Sequence, residues 1–219
     1  MMLKDYIAND FKALSPETTI SEASSLLASY PFSHFSIVED RTLVGLVHRD
    51  DIDNAYNKDL VLNELKPIFQ FFRTLAPDNF FDLASLFAQY ATNILPVTDV
   101  HNVYLGYYEL EEVMQFYNNT PFFQKNSTTL VIQKQNNDYT ISEIVQIIEN
   151  NKAQILGLFI SNIDSTNTEI TLRLGTEYVN EVIQSLRRYD YQILTTIKDD
   201  IYLKQLQENA DYLNKYLEI

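Results

Sequence analysis

Two pairs of adjacent carboxylates are the first residues in this sequence whose chemistry could be catalytic. Asp50 and Asp51 come shortly after the apolar run LVGLV, and Glu111 and Glu112 come shortly after VYLGYY. An acid and a base that act on one substrate must face each other, but adjacent residues on a helix do not share a face. Both pairs also stand at the start of a predicted helix, where the helix dipole favours acids. We therefore interpret them as helix-start residues and not as an acid–base pair.

The other residue types that commonly carry catalysis are sparse or badly spaced. The histidines have no metal-ligand spacing and join no nucleophile motif; they are His34, His48 and His101. The glycines cannot form a phosphate loop or a dinucleotide fingerprint; they are Gly45, Gly106, Gly157 and Gly175. The chain has no Cys, which excludes disulfides, thiolate chemistry and Cys-based zinc sites. We therefore predict a protein that is not an enzyme and has no metal site.

The composition describes an acidic protein with enough apolar residues to build real cores. Its 219 residues fit one large domain or two small ones, 46% are hydrophobic, and the formal net charge is -14. Such a surface repels the phosphates of nucleic acids and anionic lipids, so we expect no nucleic-acid partner and no membrane partner. The opening stretch MMLKDYIANDF has no long apolar run, so we expect no signal peptide, no membrane span and a cytoplasmic location.

An internal repeat supplies the elements that must position these residues. The segments KALSPETTISEASSLLASY (12–30) and RTLAPDNFFDLASLFAQYA (73–91) align with Pro16 on Pro77 and Ala23 on Ala84. Further along, Gly45 aligns with Gly106. Each copy therefore reads as a short extended opening, a helix, two strands and a second helix.

The predicted elements of the two copies correspond one to one. Apolar residues at helical spacing mark the first helix of each copy, at 23, 26, 27 and 30 and at 84, 87, 88 and 91. The strands are predicted at 35–38 and 42–47, then at 93–97 and 103–108, and the second helices at 51–58 and 110–118. One copy has too few strands to cover itself, so two copies paired face to face would bury a shared core.

The repeat resembles a tandem pair of CBS (cystathionine-beta-synthase) domains. The residues that carry the resemblance are the proline turns, the small helix residues Ala23 and Ala84, LPV at 95–97, and the glycines that open GLVHRDDI and GYYELEEV. The resemblance covers about residues 1–118, with repeats at about 1–60 and 61–118.

A third segment follows a predicted linker at 119–128. It has a strand at 130–135, a helix from about 140, strands at about 153–161 and 168–174, a helix marked by Val179 to Leu186, and a strand at 191–197. The order β-α-β-β-α-β is the ferredoxin-like split motif. The tetrad TISE, with capping-box spacing, starts the first helix here at 140–143 as it does at 19–22.

After a CBS pair, residues 129–198 resemble an ACT domain, and the combination resembles the acetoin-utilisation type of CBS protein. The predicted fold class is therefore α+β: a tandem CBS pair, an ACT-like domain and a terminal helix at 199–219. Leu206, Ala210, Leu213 and Leu217 form an apolar stripe on that helix, which could pack on its own chain or on a second subunit.

The resemblance implies a cleft for an adenosine-containing regulatory ligand such as AMP, ATP or S-adenosylmethionine, with no cofactor required. In the family's pattern, a glycine, two apolar residues and a Ser or Thr precede an Asp that binds ribose. The first copy matches at Gly45 and Asp51 but has His48 in place of the hydroxyl residue. Because Arg49 follows, phosphate is not excluded. The second copy has Glu109 and Glu112 at these positions, so Glu109 would put a negative charge where the phosphate lies. Because like charges at about 4 Å cost on the order of 4 kcal/mol, we expect no polyphosphate there. The predicted cleft residues are Leu14, Phe35, His48, Asp51, Leu75, Leu95, Glu109 and Glu112.

The ACT-like segment departs from its family at the first strand–helix turn. The family often has a glycine there to admit an amino acid, whereas this chain has Asn136, Asn137 and Asp138. We therefore expect assembly to be the main role of this segment.

Our first hypothesis is a non-catalytic, ligand-sensing regulatory protein that forms a homodimer through the CBS pair, the ACT-like domain or both. The second is a structural scaffold with degenerate clefts that binds no nucleotide, and the third and least favoured is an enzyme.

Overall fold

The computed structural model describes residues 3–75, 79–123 and 126–195. The chain divides into two compact units, Met1–Tyr117 and Asn118–Ile219. Pro77 and the predicted terminal helix at 199–219 lie outside the described residues. No helix in the described ranges is both long enough and apolar enough to cross a membrane.

The first unit contains two copies of the same order of elements. In the first copy they are α1 (Ile20–Leu27), β1 (His34–Glu39), β2 (Thr42–His48) and α2 (Arg49–Asp53). In the second copy they are α3 (Phe80–Gln89), β3 (Ile94–Thr98), β4 (Tyr104–Glu109) and α4 (Leu110–Asn118). The strands of each copy pair as an antiparallel hairpin, and the apolar faces of the helices pack on them in two adjoining cores.

Helix α2 is shorter than the sequence predicts. It ends at Asp53 and not at 58, and the Lys58 ammonium donates to the carbonyl oxygens of Ile52 at 2.5 Å and Asp53 at 2.8 Å. These carbonyls have no further helical turn to bond, so the lysine side chain takes that place.

The opening segment of the first copy pairs with both copies. Ala8 exchanges two backbone hydrogen bonds of 2.9 Å with Tyr107 of β4, in the other copy. Six residues later, Leu14 donates to Ser36 and accepts from Val38 of β1, in its own copy. The segment therefore ties the two hairpins together.

The opening segment of the second copy repeats this arrangement in reverse. Gln70 exchanges backbone hydrogen bonds of 2.8 and 2.9 Å with Leu46 of β2, in the first copy. Thr74 then donates to Pro96 and accepts from Thr98 of β3, in its own copy. We call the two places where an opening segment pairs with the opposite copy the crossings. They relate the two copies by a pseudo-two-fold axis.

The repeated glycines lie where these segments cross. A Cβ on Gly106 would lie 2.3 Å from the carbonyl oxygen of Ala8, and the φ of Gly106 is +143°, which favours glycine. A Cβ on Gly45 would lie 3.1 Å from Cβ of Phe69 and 3.2 Å from the carbonyl oxygen of Gln70. Both positions need a residue without a side chain, and Gly106 needs it more strictly.

The copies also touch through equivalent residues near the axis. Ser33 donates its backbone N–H to Oδ1 of Asn93 at 2.8 Å, and Asn93 donates its own to Oγ of Ser33 at 3.2 Å. At the other ends of the hairpins, Thr42 bridges Val103. These reciprocal contacts fix the two hairpins against each other.

Over residues 126–195, the second unit is a four-stranded antiparallel sheet with two α-helices. Its strands are β5 (Thr128–Gln135), β6 (Gln154–Ile163), β7 (Asn167–Gly175) and β8 (Gln192–Ile193), in the spatial order β6-β7-β5-β8. Its helices, α5 (Ile141–Asn150) and α6 (Val179–Arg188), bury one apolar face against the sheet. This is the ferredoxin-like arrangement, and the α+β prediction is confirmed.

The predicted linker is partly packed on this sheet. Pro121–Phe123 forms a 3-10 helix, and the carbonyl oxygen of Phe122 accepts from Nε of Arg173 at 2.9 Å. Cδ2 of the Phe122 ring lies only 2.1 Å from the position that a Cβ on Gly157 would occupy. Residues 121–123 therefore belong to the body of the second unit.

The two TISE tetrads fold differently. Thr19 and Glu22 form a complete capping box, with the Glu22 side chain accepting from the Thr19 backbone N–H at 3.0 Å. The Thr140 hydroxyl likewise accepts from the backbone N–H of Glu143. The Glu143 carboxylate, however, accepts from the hydroxyl of Tyr191 at 2.7 Å and not from the Thr140 backbone. The second box is incomplete because a residue 48 positions along the chain takes its carboxylate.

We expect Gly106→Ala to lower the free energy of unfolding of the first unit by about 3 kcal/mol, because it combines backbone strain with overlap against a main-chain oxygen. Gly45→Ala should cost about 1 kcal/mol, since its neighbours need to give by only a few tenths of an ångström. Urea unfolding followed by circular dichroism measures both variants.

Gly175→Ala is the matched control, because a Cβ there meets only ordinary contacts of 3.6 Å or more. An equal loss of stability in Gly45→Ala and Gly106→Ala would contradict this account of the crossings.

Candidate ligand-binding site

The first copy forms a polar corner where β2 ends and α2 begins. His48 is extended, with φ -73° and ψ 144°, and caps the helix: its Nδ1 accepts from the backbone N–H of Asp50 at 3.1 Å. The Asp50 carboxylate lies 3.6 Å from the same nitrogen. Asp51 follows in the first turn, with a half-buried side chain. The structure therefore places His48 and Asp51 at one corner, three positions apart.

Arg49 turns away from this corner. Its guanidinium donates to the carbonyl oxygens of Leu27 at 3.0 Å, Phe32 at 2.9 Å and Tyr30, and it lies over the Phe35 ring at 5.3 Å. These carbonyls belong to the end of α1 and the chain that follows it. The chain itself therefore uses the guanidinium, and Arg49 does not support a phosphate site at this corner.

His34 belongs to the same corner, although the sequence did not single it out for binding. It pairs with His48 across the β1–β2 hairpin, and the two imidazole centroids are 4.7 Å apart. Burial, and then the charge that His48 can carry, lower the pKa of His34. The hairpin register is the signal that could have found this residue, because it sets His34 directly opposite His48.

The second copy forms a pocket of about 360 Å³ at the equivalent corner. Glu109 and Glu112 line it, as does the opening segment of the first copy, from Asp5 to Asp10. Asp5 and Asp10 were not predicted, because only the crossing of this segment to β4 brings them there.

Negative charge converges on this pocket. Burial raises the pKa of Glu109, and the nearby carboxylates of Asp10, Glu112 and Glu111 raise it further. The hydroxyl of Tyr107 donates to Oδ1 of Asp10, which lowers the pKa of Asp10. The pocket therefore disfavours phosphate more strongly than its two glutamates alone would.

The other predicted cleft residues lie elsewhere. Leu14 and Phe35 are buried in the core around the first hairpin, and Leu95 is buried in the core around the second. Their side chains would have to be displaced to touch a ligand. Leu75 is exposed, at the end of the second opening segment.

The turn at 136–138 is used by the second unit itself. Asn136 donates its backbone N–H to Thr166 at 3.0 Å and a side-chain N–H to the carbonyl oxygen of Asp164 at 3.0 Å, and its Oδ1 accepts from Thr168 at 2.8 Å. Asn137 is exposed, and Asp138 borders an open pocket of about 390 Å³. The turn therefore braces the β6–β7 hairpin.

The two corners and the turn at 136–138 contain no cluster of metal-ligating side chains among the described residues. Within the part of the chain that the structure describes, no group of three or more His, Asp or Glu side chains could hold a metal ion.

Comparisons with known proteins bear on the first unit. The family model of the CBS domain matches residues 3–58, which span the whole first copy with His48 and Asp51. No curated protein matches this chain in sequence.

Solved structures resemble about half of the chain. A CBS domain pair/ACT domain protein from Thermotoga maritima is 19% identical and covers 53% of this chain and 96% of its own, with a TM-score of 0.46. A Vibrio cholerae protein described as an acetoin utilization protein is 17% identical and covers 54% and 91%, with a TM-score of 0.46. CBSX2 in complex with AMP is 21% identical and covers 53% and 95%, with a TM-score of 0.44. At these values the likenesses transfer no ligand to this chain.

The repeated order of elements, the paired hairpins and the family match agree on the first unit. Residues 3–58 match the CBS domain family, and with its second copy the first unit has the fold of a CBS domain pair.

Proposed function

We propose that this protein is a non-catalytic sensor whose CBS pair binds an adenosine-containing ligand at the corner of the first copy. CBS domain pairs are regulatory, ligand-sensing modules. The observation that carries the proposal is the position of Asp51 in the first turn of α2, which His48 caps, inside the segment that matches the family. A carboxylate there has acceptor lone pairs for both hydroxyls of a ribose.

His48 takes the place of the hydroxyl residue in this proposal. Because its Nδ1 accepts from the backbone of Asp50, the neutral ring carries its proton on Nε2. Nε2 can therefore donate one hydrogen bond to the ligand. With Arg49 turned inward, the adenosine part of the ligand supplies most of the recognition, and phosphates add little.

The acidic pocket of the second copy takes no polyphosphate in this proposal. Asp5, Asp10, Glu109 and Glu112 border it, so an anionic ligand meets repulsion from several sides. A neutral or cationic adenosyl ligand suits it better, and S-adenosylmethionine with its sulfonium is such a ligand.

Assembly is the second part of the proposal: the second unit is an ACT-like domain that joins two copies through β6. This ten-residue strand stands at the edge of the sheet and has no charged residue, although the chain carries a net charge of -14. Its exposed apolar side chains are Phe159, Ile160 and Ile163. Natural edge strands commonly carry charges that prevent pairing, and an uncharged edge lets two acidic copies pair antiparallel about a two-fold axis.

Asp51→Ala should weaken the binding of ATP about tenfold or more, because hydrogen bonds to a charged acceptor contribute about 1.5–3 kcal/mol. Isothermal titration calorimetry should find one ATP per wild-type chain. Asp53→Ala is the matched control, since it removes the same charge from the exposed side of the same helix. Unchanged affinity in Asp51→Ala would contradict the proposed site. No binding of ATP, AMP, adenosine or S-adenosylmethionine would favour the scaffold hypothesis.

The double variant Glu109→Gln/Glu112→Gln should gain affinity for ATP at the second pocket, because it removes two like charges at little change in size. The same calorimetric titration should then approach two ATP per chain, or a tighter second site. Two equal sites already present in the wild type would contradict the account of the acidic pocket.

Ile160→Lys should convert a wild-type dimer to a monomer, because it introduces a charge into the edge where β6 pairs. Light scattering after size-exclusion chromatography measures the mass. Ile141→Lys is the matched control: Ile141 on α5 is 40% exposed and Ile160 is 44% exposed. A dimer that survives Ile160→Lys would exclude β6 and place the contact elsewhere.

A further inference from the structure

The His34–His48 pair joins the proposed ligand corner to the interior of the CBS pair. His34 is 2% exposed, and its Nδ1 lies 2.9 Å from Oγ of Ser33. The ring of His48 meets it edge to face, at an interplanar angle of 79°. A buried imidazole with these neighbours is favoured in its neutral form, because burial penalises charge.

His34 also contacts the junction between the two copies. Ser33 exchanges its two hydrogen bonds with Asn93 in the second copy. The ring of Phe72, in the second opening segment, lies 5.3 Å from the His34 ring and stacks on Tyr90 at the end of α3. His34 therefore lies among the residues that hold the copies together.

His48 links the pair to the start of α2. Its Nδ1 can accept the Asp50 N–H only while that nitrogen is unprotonated. A protonated ring instead attracts the Asp50 carboxylate, already 3.6 Å away, and loses its function as the cap. The turn that carries Asp51 then loses a hydrogen bond that fixes it.

The charged and polar groups around the pair come from every neighbouring element. From α2 come Asp50 and Asp51; from the second opening segment comes the Gln70 amide, which bonds His34. The Asp51 charge and the Gln70 bond raise the pKa of His34, but burial and His48 outweigh them and the net shift is downward. The guanidinium of Arg49 is bound to backbone carbonyls. Stability from the neutral His34 ring is thus present above the ordinary histidine pKa and is lost as pH falls through the lowered pKa of His34.

We propose that His34 and His48 form a proton-sensitive contact that regulates the ligand corner: with both rings neutral, the cap holds Asp51 in place, and protonation releases it. This inference rests on the proposed function for its effect on binding, but the coupling of the two rings to the Asp50 N–H stands without a ligand. The corner binds at neutral pH and opens in acid.

Binding of adenosine tests the regulation, because adenosine carries no charge that would itself titrate here. Calorimetry on the full chain should give an affinity several-fold weaker near pH 5.5 than near pH 7.5, because a protonated His48 ring cannot accept the Asp50 N–H through Nδ1. His48→Asn keeps a good cap without a titrating group, so its affinity should change less than about twofold over the same range. His101→Gln, at the exposed third histidine, should behave as the wild type.

A ligand-free measurement separates failure of this inference from failure of the proposed function. In nitrogen-15 spectra of the wild type, the Asp50 amide should shift with the titration of the His48 ring, and His34 should titrate at higher pH in His48→Asn than in the wild type. If adenosine binds at neither pH but these shifts appear, the proposed function fails and the coupled pair stands. If the Asp50 amide does not follow the ring, or His48→Asn keeps the wild-type loss of affinity in acid, the switch is overturned.

Discussion

The backbone pairing of each opening segment with the opposite copy is the interaction on which the first unit depends. Ala8 lies against β4 and Gln70 lies against β2, so each hairpin has its neighbouring strand supplied by the other copy. This exchange requires the two main chains to approach where a side chain would stand. Gly45 and Gly106 therefore occur at equivalent places, and a single copy would leave one edge of its own hairpin unpaired.

The same crossings give the two corners different chemistry on one framework. The first segment brings Asp5 and Asp10 to the glutamates of the second copy, and the second brings Gln70 and Phe72 to His34. One corner becomes acidic, and the other becomes an imidazole pair packed against aromatic rings. Pseudo-symmetric backbones can thus carry unlike sites, because function depends on the side chains that a crossing delivers.

Local patterns in the sequence were sufficient for the order of elements and for the place of His48 and Asp51 within it. The helical spacing around Ala23 and the apolar runs around Gly45 and Gly106 predicted the two copies, and His48 and Asp51 do lie at one corner. The length of α2 and the direction of Arg49 were not predictable, because each depends on which carbonyls a long cationic side chain can reach. His34 was missed because its importance comes from its partner across the hairpin.

The two TISE tetrads separate what the sequence by itself determined from what only the tertiary structure decided. Both start a helix and both threonines cap it, because capping uses residues three apart in the chain. Glu22 completes its box, whereas Glu143 bonds Tyr191, because the folded sheet brings that hydroxyl close. The sequence thus determined the repeat, the order of helices and strands and the caps, which are local. The tertiary structure decided which distant groups meet, including the acidic pocket and the histidine pair, because those contacts join residues that only the crossings and the hairpin register bring together.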